Sequence, residues 1–389
     1  MFASTFNPPN ANATRRVHGA IGSWRDARHQ PVRQQGRVTL DILERHRPGK
    51  TDPLRVLDLL IDQFNGQHTA LEKTVSHKTR QERADFLRRF FRDLHLKAGF
   101  KKVPDPRNLG DRHIQAMVAV WQRERLAPAT IQTYLSFLRG LASWLGKPGF
   151  IRAPAHYGLS PTEYQRHEYA QRDKSWTAAG IDIDTLVERV CAYDRYVGAC
   201  LRLIRAMGLR RKEAVMFRPH QCVVPFEATG VPPERRQADH YVRIKEGAKG
   251  GRLRHVPLDT PQRIAALEFA QAVAEEKNAH LGDPRRSLQR NLRRFDYVMA
   301  RFRITAAGLG ATAHGLRHEA MIDHYMSKSG GASPPVRGDD QIPPELDHAA
   351  RLSAAELAGH NRVRAAGAYL GQSAVMSSKT CKPSDPPVT

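Results

Sequence analysis

The sequence predicts a mainly α-helical chain with one small antiparallel β-sheet, arranged as two domains. Three observations lead there. Apolar residues recur every three to four positions through most of the chain, the spacing of helices that bury one face. Strict alternation is confined to two short segments, Tyr241–Lys245 and Leu253–Leu258, which flank Gly250-Gly251 and read as a hairpin. A stretch rich in Pro, Gly and mixed charge, residues 151–176, interrupts the helical pattern and reads as an interdomain linker. With 389 residues the chain is long enough for two cores.

Taken in order, residues 1–52 are rich in Arg, Asn, Pro and Gln and lack apolar periodicity. Residues 53–150 read as a helical domain. Leu54, Val56, Leu57, Leu60 and Phe64 share one helical face. Thr79 and Glu82 have the spacing of a capping box ahead of Phe86, Leu87, Phe90, Phe91 and Leu94. Asp111 is placed to cap a third helix carrying Ile114, Met117, Val118 and Trp121. Pro128 opens a fourth, with Ile131, Leu135, Leu138 and Leu141 on its apolar face and Gly146 at its end.

The second domain, residues 177–389, starts with a helix near Asp184 whose apolar positions run through Leu186, Val190, Val197, Leu201 and Ile204. A new helix is expected at Arg210–Ala214. Two more helices follow the hairpin, Pro261–Lys277 and Ser287–Arg303, the second heavily basic. A Pro/Gly-rich interruption, Gly330–Pro344, separates the last helical segments, and the tail after 370 is polar, Pro-rich and expected to be flexible. No internal repeat is evident.

The formal net charge is +23, which points to a polyanionic partner. Nucleic acid is the first choice, because Lys and Arg on phosphates release counterions and supply affinity independent of sequence. An anionic membrane surface competes, but no apolar run approaches a bilayer span, and no basic amphipathic helix has a large aromatic face. The first residues lack the apolar segment of a signal peptide. Cys191, Cys200, Cys222 and Cys381 have no metal or redox spacing and suit a reducing cytoplasm. In the first 52 residues Arg15, Arg16, Arg25, Arg28, Arg33 and Arg37 form a basic arm, either a disordered tail or an arm that follows DNA.

Chemistry concentrates between Ala311 and Tyr369. His314 and Arg317 are three apart, so on a helix they share a face and can converge on one anion. His360 stands at a later helix start, and Tyr369 follows nine residues on. Helix packing does not ask for two histidines, an arginine and a tyrosine set out in this way; phosphoryl transfer to a tyrosine does.

Four motifs occur in order: Gly208-Leu209-Arg210 with Glu213, a Lys249-Gly250-Gly251 hairpin, His314-Gly315-Leu316-Arg317-His318, and Gly359-His360 followed by Tyr369. In this the chain resembles the tyrosine recombinases, the family of the phage integrases. Ala127-Pro128-Ala129-Thr130-Ile131, opening the fourth helix, is similar to that family's helical (SAM-like) core-binding domain. The resemblance covers roughly Pro53–Tyr369. It implies a core-binding domain and a catalytic domain forming a clamp around double-stranded DNA, no cofactor and no metal. It implies four protomers working on two DNA sites, with an accessory DNA-bending or directionality protein as a further partner, and a phage, bacterial or mobile-element origin.

Carried onto this chain, the family's catalytic set is Arg210, Lys249, His314, Arg317, His360 and Tyr369. Independent chemistry supports each residue type. A tyrosine nucleophile splits strand exchange into two transesterifications and keeps the bond energy from water. Two guanidiniums clamp the charge that gathers on the phosphate oxygens. A lysine on a mobile hairpin can protonate the departing 5′-oxygen. Glu213 and His318 are expected to orient the site. DNA contacts are expected at Arg15, Arg16, Thr130, Gln132, Arg139 and Arg252, the last standing where the family usually has a second lysine. Tyr325 is the rival nucleophile and Lys245 the rival lysine.

The stretch between Arg317 and His360 is longer than the family's usual spacing. The excess, about 327–350, is expected to be a surface insertion that leaves the flanking helices aligned; its acidic residues Asp339, Asp340, Glu345 and Asp347 suit a protein neighbour better than DNA. Three other readings are weighed. A metal-dependent nuclease or transposase would need a carboxylate set that the sequence does not show. A tyrosine-using topoisomerase shares the chemistry, and a recombinase-derived regulator would have lost one or more of the six residues.

Overall fold

The structure, a computed structural model, describes residues 44–47, 49–66, 74–338 and 340–372. Arg15 and Arg16 of the basic arm, Asp339, and the tail from residue 373 lie outside the described residues. The chain is mainly helical with one three-stranded antiparallel sheet, and it divides into two compact units, Met1–Arg166 and His167–Thr389. Among the described residues no helix is long and apolar enough to cross a membrane.

The first unit contains α1 (Pro53–Phe64), α2 (His77–Leu96), α3 (Asp111–Arg123), α4 (Pro128–Trp144) and the single turn α5 (Pro161–Tyr164). Leu57, Leu60, Phe90, Phe91, Val118 and Leu135 form its core. Two expected caps move. Helix α2 starts at His77, where Ser76 accepts the Thr79 amide at 3.2 Å; Ser76 holds an extended backbone, as a cap requires, whereas Thr79 and Glu82 are already helical. Asp111 is the first helical residue of α3 rather than its cap; the cap is Gly110, whose amide donates to His113 Nδ1 at 2.9 Å. Helix α4 carries Thr130 and Gln132, half-buried, and Arg139, exposed, with Pro128 at its first position.

Residues 151–176 are packed over much of their length. Ile151, Tyr157 and Leu159 enter the first core, while Ser175 and Trp176 are buried in the second unit.

The second unit contains α6 (Ile183–Tyr193), α7 (Arg195–Met207), α8 (Arg211–Val215), β1 (Val223–Pro225), β2 (His240–Ile244), β3 (Arg254–Pro257), α9 (Pro261–Val273), α10 (Leu288–Arg301), α11 (Ala313–Lys328), α12 (Pro344–Leu357) and the short α13 (Gly367–Leu370). The strands run in the order β1-β2-β3, with Val242 paired to Val223 on one side and Val256 on the other. Helix α7 is buried over most of its length and packs against α6, α9 and α11.

Three sequence expectations change here. The apolar face beginning at Leu186 belongs to two helices, because Asp194 leaves helical geometry and accepts the Val197 amide at 3.1 Å, capping α7. Strand β1 was not expected: three residues ending in Pro225 are too short to show alternation. The segment between α11 and α12 is more than a surface insertion: Val336 and Ile342 pack on the core and Arg337 makes partly buried ion pairs. Of the acidic residues of α12, Asp347 serves the fold, accepting from both Tyr325 (2.7 Å) and Arg351 (2.8 Å).

Candidate active site

Helix α7 stops at Gly208, whose φ of +60° is left-handed and whose missing Cβ would stand 2.2 Å from Met321 Cε. The turn delivers Arg210 in extended geometry at the start of α8. Glu213 reaches back one turn and accepts the Arg210 amide at 2.8 Å and Arg210 Nη1 at 2.7 Å. Its carboxylate also takes two hydrogen bonds from Arg254 on β3, at 2.7 and 3.2 Å. Burial alone would push the Glu213 pKa up, but Arg254 and Arg210 reverse this and hold it down at about 2. Glu213 and Arg254, 1% and 8% exposed, are therefore a buried ion pair supporting Arg210 from behind.

Arg317 comes from the first turns of α11, a helix capped by Thr312. It has no exposed surface. Its Nη2 donates to Ala358 O at 2.7 Å, its Nη1 donates to Gly208 O, and its Nε donates to the Tyr369 hydroxyl at 2.9 Å. Burial pulls the Arg317 pKa down, and the neighbouring Tyr369 opposes that. Ala358 O accepts from Arg210 Nη2 as well, at 3.1 Å. This carbonyl lies at the C-terminus of α12, where a helix leaves acceptors unpaired and its dipole favours cations. One helix end thus gathers both guanidiniums.

Gly359, at φ +74°, turns the chain out of α12 and sets His360 Nε2 3.3 Å from Arg210 Nη2. Partial burial, then Arg210, Arg317, Arg252 and Lys249, push the His360 pKa down to about 4. His318 is buried with its Nδ1 lacking a hydrogen-bond partner, and its ring lies 4.9 Å from the Tyr369 ring. His314 is exposed, and its ring lies 6.1 Å from that of Tyr369 and 5.1 Å from that of His318. Desolvation, then Arg317, Lys174 and Arg210, bring His314 down to about 4; burial brings His318 to about 3. All three shifts favour the neutral imidazole.

The fold thus brings Arg210, Glu213, His314, Arg317, His318, His360 and Tyr369 into one cluster. Lys249 and Arg252 stand apart on the exposed hairpin, close enough for their charge to lower the His360 pKa. Tyr325 sits elsewhere, 1% exposed and donating to Asp347. Arg254 escaped the sequence reading because a strand arginine beside a hairpin reads as solvated; its burial follows only once Glu213 is in place. A phenol hydroxyl touching a guanidinium, a second guanidinium nearby and imidazoles beside them are suited to attack on an anionic ester.

Two family models match the chain: "Phage integrase, N-terminal" over residues 64–150 and "Integrase" over residues 170–323. Together they span more than half of it. The chain belongs to the phage integrase family of tyrosine recombinases. No curated protein resembles this integrase closely enough to count as a match. Among solved structures it is similar to a lambda integrase tetramer bound to a Holliday junction, at 15% identity and a TM-score of 0.46, over 84% of this chain and 85% of that one. It is similar to a lambda integrase dimer bound to a COC′ core site, at 13% identity and a TM-score of 0.46, over 90% and 88%. XerA recombinase matches at 13% identity and a TM-score of 0.29, over 86% of this chain and 100% of that one.

Proposed function

We propose that this integrase cleaves and rejoins double-stranded DNA at specific sites through a 3′-phosphotyrosyl intermediate, without metal or nucleotide. The observation that carries the reading is the hydrogen bond from buried Arg317 Nε to the Tyr369 hydroxyl. A guanidinium bonded to the phenol oxygen keeps the nucleophile beside a cation that binds phosphate. Three of the five Arg317 donors are taken by Gly208, Ala358 and Tyr369, which fixes the guanidinium beside the phenol.

In the step, Tyr369 Oη attacks phosphorus and the P–O5′ bond breaks. The 5′-oxygen leaves with a proton from Lys249, and a DNA 5′-hydroxyl later reverses the exchange. Arg210 and Arg317 hold the charge on the non-bridging oxygens. His360 donates to the same phosphate through its neutral N–H, and His314 assists loss of the Tyr369 proton. Glu213 and His318 orient these groups. The helical domain of residues 53–150, with Thr130, Gln132 and Arg139 on α4, acts as the core-binding domain. Exchange between two duplexes breaks four strands, one tyrosine each, which calls for four protomers on two sites.

The test uses purified protein and DNA fragments flanking its own gene, with EDTA present. Denaturing gels are expected to show a protease-sensitive protein–DNA adduct in wild type and none in Tyr369→Phe, which still binds DNA. Adduct formation by Tyr369→Phe would overturn the nucleophile. Good binding with no wild-type adduct on any fragment would favour a DNA-binding regulator.

A further inference from the structure

The chain on either side of Tyr369 is held by residues that no recombinase motif contains. Val336 N donates to Leu370 O at 3.2 Å, and Arg351 Nη1 donates to Gly371 O at 3.0 Å. Gly371 adopts φ +85°, and a Cβ there would meet Val336 Cγ1 at 3.1 Å and Pro335 Cβ at 3.2 Å. Before the tyrosine, Ala170 N donates to Gly367 O at 2.8 Å, and a Cβ at Gly367 would lie 2.4 Å from the Tyr169 ring. Helix α13 is four residues long and cannot fix its own position. Its position is imposed from both ends.

The Pro335–Arg337 turn is itself pinned by Arg337. Arg337 Nε donates to Asp173 Oδ2 at 2.7 Å, and Nη2 donates to Ser175 Oγ at 3.0 Å and Glu319 Oε1 at 2.8 Å. The side chains of Asp173 and Glu319 are 10% and 2% exposed and that of Arg337 21%, so this is a partly buried network that solvent screens less than a surface pair. Glu319 lies two residues beyond Arg317 on α11 and also accepts the Thr177 amide at 2.9 Å. One guanidinium therefore ties together the segment before α6, the arginine helix and the turn that grips the residue after the tyrosine.

We propose that Arg337, through the Pro335–Arg337 turn, is a positioning residue that docks Tyr369 against the Arg317 of its own protomer. The segment that lengthens the chain between Arg317 and His360 is then a clasp on the nucleophile. The proposal rests on the reading of Tyr369 as nucleophile, and its test separates the two.

The first measurement is hydrogen exchange on the full chain, which needs no DNA. In Arg337→Ala, amides of residues 366–371 are expected to exchange at least roughly tenfold faster while α7 keeps its protection. Arg337→Lys, keeping the charge but losing the fork, is expected to fall between. Gly371→Ala, which pushes a methyl against Pro335 and Val336, loosens the same amides without touching the ion pairs and stands in should Arg337→Ala not fold. The second measurement is single-turnover cleavage on a fragment that gives the wild-type adduct. At saturating DNA the rate is expected to drop roughly a hundredfold in Arg337→Ala, the scale of a misplaced reacting group, with the dissociation constant unchanged and partial rescue by Lys. Wild-type exchange at residues 366–371 in both Arg337→Ala and Gly371→Ala overturns the clasp. An adduct that survives Tyr369→Phe overturns the nucleophile and leaves exchange to decide the clasp.

Discussion

Glu213 shows how one residue's meaning depends on its company. In the sequence it is the acid one turn after Arg210. In the structure it is a buried anion answering to Arg210 and Arg254 together, with Arg317 3.9 Å away. An unpaired carboxylate in that place would be costly, and so would Arg254 without it. Lys249 is the opposite case: its turn at the hairpin tip is exposed, and among the described residues its ammonium has no hydrogen bond or ion pair. An exposed ammonium suits a group that meets its partner only when DNA is present. If Lys249 delivers the proton to the departing 5′-oxygen, Lys249→Ala slows cleavage of ordinary DNA sharply. A substrate with sulfur at that bridging position needs no proton on the leaving group, so the variant is expected to cleave it at close to the wild-type rate. Rescue seen for Lys245→Ala and not for Lys249→Ala would assign the proton to the other lysine.

At the scale of elements, helix α11 supplies three residues of the site, and Arg317, His318 and Glu319 on it are buried. His314, Arg317 and His318 are consecutive-turn neighbours, a spacing that the sequence shows directly. What spacing could not show is the depth of burial. His318 is 2% exposed and held neutral, its pKa pushed from the ordinary value of 6.5 to about 3 by burial first and by its cationic neighbours next. The consequence for stability has a definite sign. Below pH 6.5 the unfolded chain binds a proton at this position that the folded chain refuses down to about pH 3. Stability is thus full above pH 6.5 and falls as pH drops through that window. By pH 5 the loss from this one residue is about 2 kcal/mol. Urea unfolding at pH 7.5 and pH 5.0 is expected to show a difference that shrinks by about that amount in His318→Gln. An equal difference in both proteins would mean that His318 takes its proton when folded. Other elements were less legible for stated reasons. Helix phase passed unbroken through Asp194, so two helices looked like one. A Pro/Gly-rich composition marked residues 330–344 as a loop but could not reveal that Arg337 anchors it.

For the whole molecule the excess of basic residues, 62 Lys and Arg against 39 Asp and Glu, has two separate uses. Some arginines among the described residues, Arg83, Arg254, Arg317 and Arg351 among them, are buried and spend their donors on carbonyls and carboxylates within the fold. Many of the other Lys and Arg among the described residues are exposed, where they can meet phosphates and where salt screens them within a Debye length of about 8–10 Å. These two populations predict different responses to salt. Binding through surface cations releases counterions, so with about six phosphate contacts affinity falls roughly a thousandfold between 50 and 200 mM salt. On the proposed mechanism the chemical step relies on Arg317, which has no exposed surface, and on Arg210, backed by the buried Glu213–Arg254 pair. Once DNA is saturating, the single-turnover cleavage rate is therefore expected to change by less than about threefold over the same range. Gel shift and quenched cleavage on one adduct-forming fragment measure both quantities. A cleavage rate that falls in step with affinity would place the clamping cations at the surface and remove the buried arginine cluster from the chemistry.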